Sequence, residues 1–197
     1  MGKQLNLVLF GPPGAGKGTQ SEQIIGRYNL THISTGDLFR KHLGEGTALG
    51  LEAQRYMDNG KLVPDEIVIG MVEDKIKSTI DSSGFIFDGF PRTVPQAKAL
   101  DQLLDSVNES ISTMISLEVP ENELKARLRN RAKISGRVDD QDDEKIQTRI
   151  NEYLEKTLPV ASFYQEKNKL VKIGGVGSID TIFDTIKQVL DPLHQEA

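Results

Sequence analysis

Residues 5–20 read LNLVLFGPPGAGKGTQ, and the order of features in this stretch decides the fold class. The apolar run of residues 7–10 has the length of a strand and is too short for a buried helix. Residues 11–17 follow directly and match G-x-x-x-x-G-K, the first seven positions of the phosphate-binding loop pattern. Residues 20–28 then read as a helix. A strand, a glycine-rich loop and a helix in this order predict a phosphate-binding site.

The residue types in this loop suit the binding of a triphosphate. Glycine lets backbone N–H groups approach phosphate oxygens that side chains would block, and the next helix presents its positive end. Lys17 adds a mobile charge. The pattern breaks at its last position, where Gly18 replaces Ser or Thr and the hydroxyl comes at Thr19, which weakens the case for direct Mg²⁺ ligation by the loop. The alternative is a Gly/Pro-rich turn, which the flanking strand and helix disfavour.

Composition limits the classes of protein that fit. A length of 197 residues fits one domain, and a net charge of −5 disfavours nucleic-acid binding through bulk electrostatics. The chain contains no cysteine, and His32, His42 and His194 lack metal-ligand spacing, so we expect no zinc and assign these histidines no role. No signal peptide or long apolar span is present, so we expect a cytoplasmic protein that does not bind membranes.

Apolar strand-like runs alternate with helical patterns along the chain. The predicted strands are residues 5–10, 30–34, 85–87, 111–119 and 170–173. The clearest predicted helices are residues 65–80, 93–107, 121–132, 143–156 and 179–190. This alternation favours an α/β fold with a parallel sheet covered by helices on both faces. Ligands of such sheets bind at the carboxyl ends of the strands, so the residues that follow each strand are the candidates.

Residues 34–40, STGDLFR, follow the second predicted strand. Ser34 or Thr35 as N-cap and Asp37 in the first turn predict a helix start, which explains the segment at least as well as a binding role does. Arg40 is then a solvated helix residue. Residues 44–64 are punctuated by glycine and proline and contain no convincing strand. We interpret them as short helices that form a mobile cover for a substrate.

The third predicted strand ends in DGFPRT, residues 88–93. An acid that ends a strand in a chain with a phosphate loop suits the orientation of hydrated Mg²⁺, which makes Asp88 the candidate. The glycine and proline that follow predict a tight turn that directs Arg92 to the same sheet edge. A turn with a capping acid is the alternative for Asp88. Gln96 lies on the next helix, where an exposed polar residue is the alternative to a binding role.

A run of basic residues occupies residues 124–138, which contain no acid. Its bases are Lys125, Arg127, Arg129, Arg131, Lys133 and Arg137. Arg127 and Arg131 are four residues apart and share a helix face, whereas Arg129 lies off that face and is expected in solvent. Several guanidinium groups near a phosphate loop indicate a clamp on a polyphosphate. The alternatives are a basic helix before an acidic turn, or an RNA-binding patch, which lacks interleaved aromatic residues.

The end of the fifth predicted strand, GGVGS at residues 174–178, has two interpretations. It suits a strand–helix turn that is capped by Ser178. It equally suits a close approach of the backbone to a flat ligand such as adenine, and the sequence alone does not separate the two.

Five motifs and one arginine occur in an order that resembles the adenylate kinase family. They are GPPGAGKGTQ, ISTGDLFR, MDNGKLVPDE, FDGFPRTVPQA and SGRVDD, followed by Arg149. The resemblance covers essentially the whole chain, and FDGFPRT is its most specific part. It implies reversible transfer of the γ-phosphoryl group of MgATP to AMP, which gives two ADP. It also implies one kinase domain with a P-loop NTPase-like three-layer α/β fold, a five-stranded parallel sheet, a small helical AMP-binding insertion at residues 34–63 and a short lid at residues 127–140.

The resemblance implies roles for residues that match the motifs of the family. For ATP these are Gly11, Pro12, Pro13, Gly14, Ala15, Gly16, Lys17, Gly18, Thr19, Arg127, Arg131 and Gly177. For AMP they are Thr35, Arg40, Lys61, Leu62, Val63, Gly89, Arg92, Gln96, Arg137 and Arg149. The implied catalytic cations are Lys17, Arg92, Arg127, Arg131, Arg137 and Arg149. Asp88 would orient Mg²⁺ through water, Gln96 would read the adenine edge of AMP, and Arg40 would meet its phosphate.

The chain departs from many members of the family in two places. Only five residues separate Arg131 from Arg137, which resembles the short lid without zinc-binding cysteines. The segment from Arg137 to Arg149 is one residue longer than in many members. Because arginines on both sides of Ser135 and Gly136 would repel each other without phosphate, we expect the lid to be open in the free protein and closed over nucleotide.

Two other functions are considered beside the transfer to AMP. A kinase of UMP and CMP resembles this family, but its motifs typically carry Ala at the position of Thr35 and Asn at that of Thr93, so this chain favours AMP. A nucleotide-sensing module without catalysis would not need both the acceptor and the lid motifs. The expected ligands are ATP, AMP and ADP, and we expect a monomer.

Overall fold

Five parallel strands form the centre of the molecule, in the spatial order β2-β3-β1-β4-β5. They are β1 Leu7–Phe10, β2 Thr31–Ser34, β3 Phe85–Asp88, β4 Thr113–Glu118 and β5 Leu170–Gly174. The computed structural model describes residues 4–79 and 82–195. All strand pairs are parallel, which confirms the sheet that the alternating pattern predicted. The carboxyl ends of the strands therefore meet at one edge.

Helices cover both faces of this sheet. Within the described residues they are α1 Lys17–Tyr28, α2 Thr35–Gly44, α3 Ala48–Met57, α4 Asp65–Ser78, α5 Val94–Asp105, α6 Glu121–Ser135, α7 Asp143–Glu152, α8 Leu158–Gln165 and α9 Ile179–Gln195. A 3₁₀ turn, Val138–Asp140, precedes α7, and a π-helical turn, Tyr153–Thr157, joins α7 to α8. The helix start predicted at Ser34 or Thr35 is confirmed as α2, and residues 44–64, predicted as short helices, contain α3.

Side chains of β1 alternate between two cores because successive strand residues point to opposite faces. Leu7 and Leu9 pack into a core with residues of α1 and α9. Val8 and Phe10 pack into the other core, with residues of α4, α5 and α8. Both faces of β1 are thus buried, and burial on both faces gives its sequence a continuous apolar run instead of a polar alternation.

The helix boundaries differ from the sequence-based prediction at several places, and α9 continues five residues beyond its predicted end at residue 190, to Gln195. Helix α6 continues to Ser135 and ends at Gly136, whose φ of 63° is in the left-handed region that favours glycine. The helix predicted for residues 143–156 is α-helical only to Glu152, after which the π-helical turn begins. Helix α8 was not predicted. The prediction of a helix to residue 80 ends on Ile80, which lies outside the described residues.

A small separate core joins α6 to α7. It consists of Leu128, Ile146 and Ile150, all of which are buried. These contacts hold the basic helix against the helix that carries Arg149. In the part of the chain that the structure describes, no helix combines the length and apolar character needed to cross a membrane.

Candidate active site

A cleft of about 900 Å³ opens at the carboxyl edge of the sheet. It is bounded by the segments that follow β1, β3 and β5, as expected for ligand sites in parallel sheets. Eight lysine and arginine residues and five aspartate and glutamate residues line it. This excess of positive charge suits a ligand with several negative charges.

The loop between β1 and α1 takes a conformation that requires glycine. Gly16 is the N-cap of α1 with a φ of 94°, in the left-handed region. A Cβ on Gly14 would lie 3.0 Å from Leu128 Cγ and 3.1 Å from the Leu124 carbonyl oxygen, so a side chain there would press on α6. The loop thus lies close to the basic helix, with the N-terminus of α1 at the cleft.

Lys17 lies in this loop without a carboxylate in hydrogen-bond contact. Its Nζ donates to the carbonyl oxygens of Gly11, at 2.8 Å, and Pro12, at 3.0 Å. Burial lowers the pKa of Lys17 from its usual 10.5 to about 7, and the charges of nearby arginines lower it further against the opposing effect of Asp88. Among the described residues, no anion is in hydrogen-bond contact with the Lys17 ammonium, and a bound phosphate would supply one.

Asp88 lies at the end of β3, and its side chain is 15% exposed in the cleft. His32 Nε2 lies 3.7 Å from Asp88 Oδ2 and makes no hydrogen bond in the structure. Burial opposes ionisation of Asp88, but the His32 imidazole and the Lys17 ammonium outweigh it and hold the pKa of Asp88 below its usual value. The sequence analysis gave His32 no role, whereas the structure puts it beside the predicted magnesium residue.

The donor set around Asp88 fits a magnesium ion that arrives with a nucleotide. Among residues 4–79 and 82–195, no group of three or more His, Cys, Asp or Glu could hold a metal ion. Mg²⁺ keeps several waters and is often bound by one or two carboxylates together with substrate phosphates. One ionised carboxylate facing the phosphate loop across the cleft meets that requirement, since water and phosphate would fill the other positions.

Gly89 connects two of the predicted acceptor residues. Its carbonyl oxygen accepts from Thr35 Oγ1 at 2.8 Å and from Arg92 Nε at 2.8 Å. Gly89 has a φ of 76°, and a Cβ there would lie 2.8 Å from Arg92 Nη2, so glycine is needed. Burial lowers the pKa of Arg92. The predicted tight turn thus holds Arg92 at the cleft.

Gln96 is buried, with 1% of its surface exposed, which contradicts the alternative of an exposed polar residue. Its Oε1 accepts from the backbone N–H of Arg92 at 2.7 Å, and its Nε2 donates to Asp65 Oδ1 at 2.8 Å. Both ends of the amide therefore have a protein partner. Gln96 still lines a recess of the cleft together with Thr35 and Val63.

The remaining predicted acceptor residues lie around this recess and the adjoining cleft. Lys61 and Leu62 line both, and the Leu62 N–H donates to Glu152 Oε2 at 3.4 Å. Arg40 lines the cleft and forms an ion pair with Asp37 on the same helix. The predicted N-cap of this helix is confirmed, since Ser34 Oγ accepts from the Asp37 N–H at 3.2 Å.

Three of the predicted catalytic arginines converge on two neighbouring acids. Asp140 is fully buried and accepts from Arg131 Nε at 2.6 Å and from Arg149 Nη1. Asp139 accepts from Arg137 Nη2 at 2.9 Å and forms an ion pair with Arg149, whose Nη1 lies 2.9 Å from Asp139 Oδ2. The repulsion among lid arginines that the sequence suggested is therefore offset by Asp139 and Asp140, so it supplies no reason for the lid to open.

The charge states of this cluster follow from burial and pairing. Burial lowers the pKa of Arg149 to about 10, and the charges of Asp139 and Asp140 partly oppose that shift. Burial also opposes the charge on Arg137, but the hydrogen bond from Arg137 to Asp139 outweighs it and raises the pKa of Arg137. The pKa of Asp139 falls for the same reason, against its own burial. Arg137, Arg149 and Asp139 are thus charged at neutral pH.

Arg127 and Arg129 differ as their positions on α6 predicted. Arg127 Nε pairs with Glu123 at 2.7 Å, and its Nη2 donates to the Gly175 carbonyl oxygen at 2.9 Å, next to the glycine-rich end of β5. Arg129 is 53% exposed and pairs with Asp143 away from the cleft. The basic helix thus presents Arg127 and Arg131 to the cleft and Arg129 to solvent.

The structure brings the predicted site residues together in one place. Every residue implied for ATP except Pro12 lines the cleft, and the Pro12 carbonyl oxygen holds Lys17. Ser178 caps α9, since its Oγ accepts from the Thr181 N–H at 3.1 Å, which confirms the strand–helix turn. Gly177 lines the cleft, and the approach of a flat ligand to it stays a prediction. Lining residues that received no site role from the sequence include Gln20, His32, Glu152, Tyr153 and Thr157.

Comparison with known proteins agrees with this geometry. A family model described as Adenylate kinase matches residues 9–169. An adenylate kinase of Flavobacterium johnsoniae is 49% identical over 189 residues, which cover 96% of this chain and 100% of that protein. One of Bacteroides thetaiotaomicron is 47% identical with the same coverage, and one of Leptospira biflexa is 47% identical over 91% of this chain and 96% of that protein. A cleft built from a phosphate loop and convergent arginines, together with these matches, shows that the chain belongs to the adenylate kinase family.

Proposed function

We propose that this protein transfers the γ-phosphoryl group of MgATP to AMP and forms two ADP, reversibly. The observation that carries the proposal is the single cleft in which Lys17 of the phosphate loop faces Arg92, Arg131, Arg137 and Arg149. A site for one nucleotide needs fewer cations than this. The triphosphate of ATP and the monophosphate of AMP would repel each other, and the arginines would offset that repulsion.

ATP would occupy the half of the cleft formed by the phosphate loop and α6. The loop N–H groups and the N-terminus of α1 would hold its phosphates, with Lys17 at the transferring group. Arg127 lies between this loop and the Gly175 carbonyl oxygen, so its guanidinium would pass close to the adenine. Gly177, with a φ of 132°, leaves room for a flat ring beside the backbone.

AMP would occupy the half formed by α2, α3 and the segment after β3. Its base would enter the recess with Thr35, Val63 and Gln96, and its phosphate would meet Arg40 and Arg92. We propose that residues 34–63 act as the AMP-binding insertion and residues 127–140 as the short lid.

The chemistry requires positioning and charge neutralisation more than covalent help. An oxygen of the AMP phosphate attacks the γ-phosphorus, and the bond from that phosphorus to the bridging oxygen breaks, so that ADP leaves with the electron pair. The attacking phosphate is already anionic, so no general base is needed. Lys17 and the paired arginines would stabilise the charge on the transferring group, and the closed cleft would keep water from taking the place of AMP.

Magnesium would be held at Asp88 through water and would neutralise phosphate charge when bound with ATP. Asp88 fits that role because it is ionised and lies beside Lys17.

We expect no structural zinc. Chelator-treated protein should keep its melting temperature, and one equivalent of tightly bound zinc whose removal lowers the melting temperature would contradict this expectation.

The deciding experiment is a coupled assay of ADP formation from MgATP with AMP, UMP, CMP or GMP as acceptor. We expect AMP to be preferred by orders of magnitude in kcat/KM, because Thr35 and the Gln96 amide line the base recess. Comparable turnover of UMP or CMP would move the assignment to a pyrimidine nucleotide kinase. Binding of ATP without any transfer would favour a sensing module. Size-exclusion chromatography with light scattering would test the expected monomer.

A further inference from the structure

We infer that Asp65 is a specificity-determining positioning residue: its carboxylate fixes the orientation of the Gln96 amide and so makes the acceptor recess select 6-aminopurines over 6-oxopurines. The inference deepens the proposed function and depends on it, since it takes the recess lined by Gln96 as the site of the acceptor base. Asp65 itself lies on the first turn of α4 and does not line either the cleft or the recess.

An amide side chain is ambiguous because its oxygen and nitrogen ends have nearly the same shape. The two ends present opposite hydrogen-bonding patterns, so an amide that can flip reads two different bases equally well. A site that distinguishes them must hold the amide in one orientation. The surroundings of Gln96 meet this requirement at both ends.

The oxygen end of Gln96 faces a group that can only donate. Its Oε1 accepts from the backbone N–H of Arg92 at 2.7 Å. The nitrogen end faces a group that, as a carboxylate, can only accept: Nε2 donates to Asp65 Oδ1 at 2.8 Å. A flipped amide would set N–H against N–H and oxygen against carboxylate oxygen. The burial of Gln96 removes water as a substitute partner, so both conflicts would carry a full cost.

Thr93 fixes the position of Asp65 in turn. The Thr93 hydroxyl donates to the same Asp65 Oδ1 at 2.9 Å, and its oxygen accepts from the backbone N–H of Gln96 at 3.3 Å as the N-cap of α5. Each bond in this ring has a fixed donor and a fixed acceptor. The ring ties the start of α4, which follows the insertion, to the start of α5, which carries Gln96.

The fixed orientation leaves one unused N–H on Nε2 and one unused lone pair on Oε1 of Gln96. A 6-aminopurine offers an amino donor beside a ring-nitrogen acceptor, and Gln pairs with such an edge in bidentate fashion. A 6-oxopurine presents an acceptor where the amino donor was. It would meet the Gln96 oxygen with its own oxygen, and only an amide flip that Asp65 opposes would relieve the conflict.

The test compares kcat/KM for AMP with kcat/KM for inosine 5′-monophosphate in Asp65→Asn, at saturating MgATP. We expect the AMP-to-IMP ratio to fall roughly tenfold, because an asparagine can turn either end toward Gln96 while the Arg92 N–H still favours the original orientation. The KM for ATP should not change. The ratio is independent of the fraction of enzyme that is folded, so partial misfolding of the variant does not obscure the result.

Glu66→Gln is the matched control, since it removes the same charge from the same helix turn at an exposed position. It should leave the ratio unchanged. Thr93→Val should lower the AMP-to-IMP ratio. Thr93→Ser should leave that ratio near the wild-type value, since serine keeps the hydroxyl that holds Asp65. A ratio within twofold of wild type in Asp65→Asn, or an equal fall in Glu66→Gln, overturns the inference. Wild-type enzyme that forms no ADP from ATP and AMP overturns the proposed function instead.

Discussion

Lys17 and the arginines of the acidic cluster, Arg131, Arg137 and Arg149, are all predicted to face phosphate, yet their contacts in the free protein differ. Among residues 4–79 and 82–195, Lys17 Nζ donates only to the carbonyl oxygens of Gly11 and Pro12, which carry partial charge. Arg131, Arg137 and Arg149 are held by the two full charges of Asp139 and Asp140. Burial lowers the pKa of Lys17 to about 7 and that of Arg149 to about 10, whereas the hydrogen bond to Asp139 raises the pKa of Arg137.

This difference separates two ways of preparing a cation for phosphate. Carboxylates beside the arginines occupy positions like those of phosphate oxygens, so these guanidinium groups stay charged and oriented before ligand binds. Lys17 has no such partner, and its charge depends on the ligand. We therefore expect substitution of Lys17 to lower the rate of transfer most. Substitution of Arg137 should lower kcat more than ATP affinity, and substitution of Asp140 should lower the free energy of unfolding.

The largest effect is expected for Lys17→Met. Because Lys17 supplies charge to the transferring group and packs little, transfer should fall by about a thousandfold or more while the fold is kept. Steady-state ADP formation and circular dichroism measure the two properties. Lys98→Met is the control, since Lys98 is an exposed lysine of α5 outside the cleft. Near-wild-type activity in folded Lys17→Met would remove Lys17 from the mechanism.

Arg137→Lys tests the lid by keeping the charge and removing the planar fork. Arg137 bonds to both oxygens of Asp139, at 3.1 and 2.9 Å, a geometry that lysine cannot reproduce. Losing one charge-assisted contact in the transition state should raise the barrier on the order of 2–4 kcal/mol, with a smaller effect on ATP affinity.

The measurement is kcat beside an equilibrium Kd for ATP on the same variant. Arg129→Lys is the control, because Arg129 makes the same kind of bidentate pair, with Asp143, on the exposed side of the helix. If ATP affinity falls tenfold or more while kcat is unchanged, Arg137 serves ground-state binding and the lid mechanism is wrong.

The sequence predicts the fold well because its strongest signals are local. The apolar run before GPPGAGKGTQ, the period of the helices and the FDGFPRT turn depend on residues near one another in the chain. The π-helical turn Tyr153–Thr157 and helix α8 were missed, because the shift from α to π hydrogen bonding arises from packing and leaves no periodic pattern. The extension of α6 to Ser135 was missed although Gly136, a residue type that commonly ends helices, follows it directly.

The sequence predicted which residues form the site, but it predicted their hydrogen bonds and ion pairs less well. Motif resemblance supplied Arg131, Arg137 and Arg149, but their pairing with Asp139 and Asp140 crosses from α6 to α7 and needs coordinates. The acidic run after Arg137 predicts that Asp139 and Asp140 pair with bases across the cleft, but it does not identify which bases. His32 and Asp65 carried no such signal, because neither stands in a pattern whose spacing predicts its partner.

Asp140→Asn should lower stability by removing the buried counter-charge of two arginines. Breaking a fully buried pair costs about 3–5 kcal/mol, and we expect about 2 kcal/mol here because Asp139 remains and Arg131 is partly solvated. Inorganic tripolyphosphate should raise the melting temperature of the variant more than that of wild type, because its oxygens replace the lost carboxylate.

Asp143→Asn is the control for this stability effect, since it breaks the exposed pair with Arg129 and should change the melting temperature little. Denaturant unfolding gives the free energies. Equal losses for Asp140→Asn and Asp143→Asn would show that burial of the lid pair does not govern its contribution.

The smallest expected effect is a proton that Lys17 takes up when ATP binds. Burial holds the pKa of free Lys17 at about 7, so at pH 8 most Lys17 is neutral before binding. A bound phosphate raises that pKa, so the complex binds a proton that the free protein lacks, and ATP affinity must fall as the pH rises above about 7. Calorimetric titration at pH 8 in buffers of different ionisation enthalpy measures the proton uptake, which should be smaller at pH 6.

Lys17→Arg is the control, because arginine keeps its charge throughout this pH range and should bind ATP without proton uptake. Equal proton uptake in wild type and Lys17→Arg would assign the proton to another group and would break the contrast between Lys17 and the paired arginines.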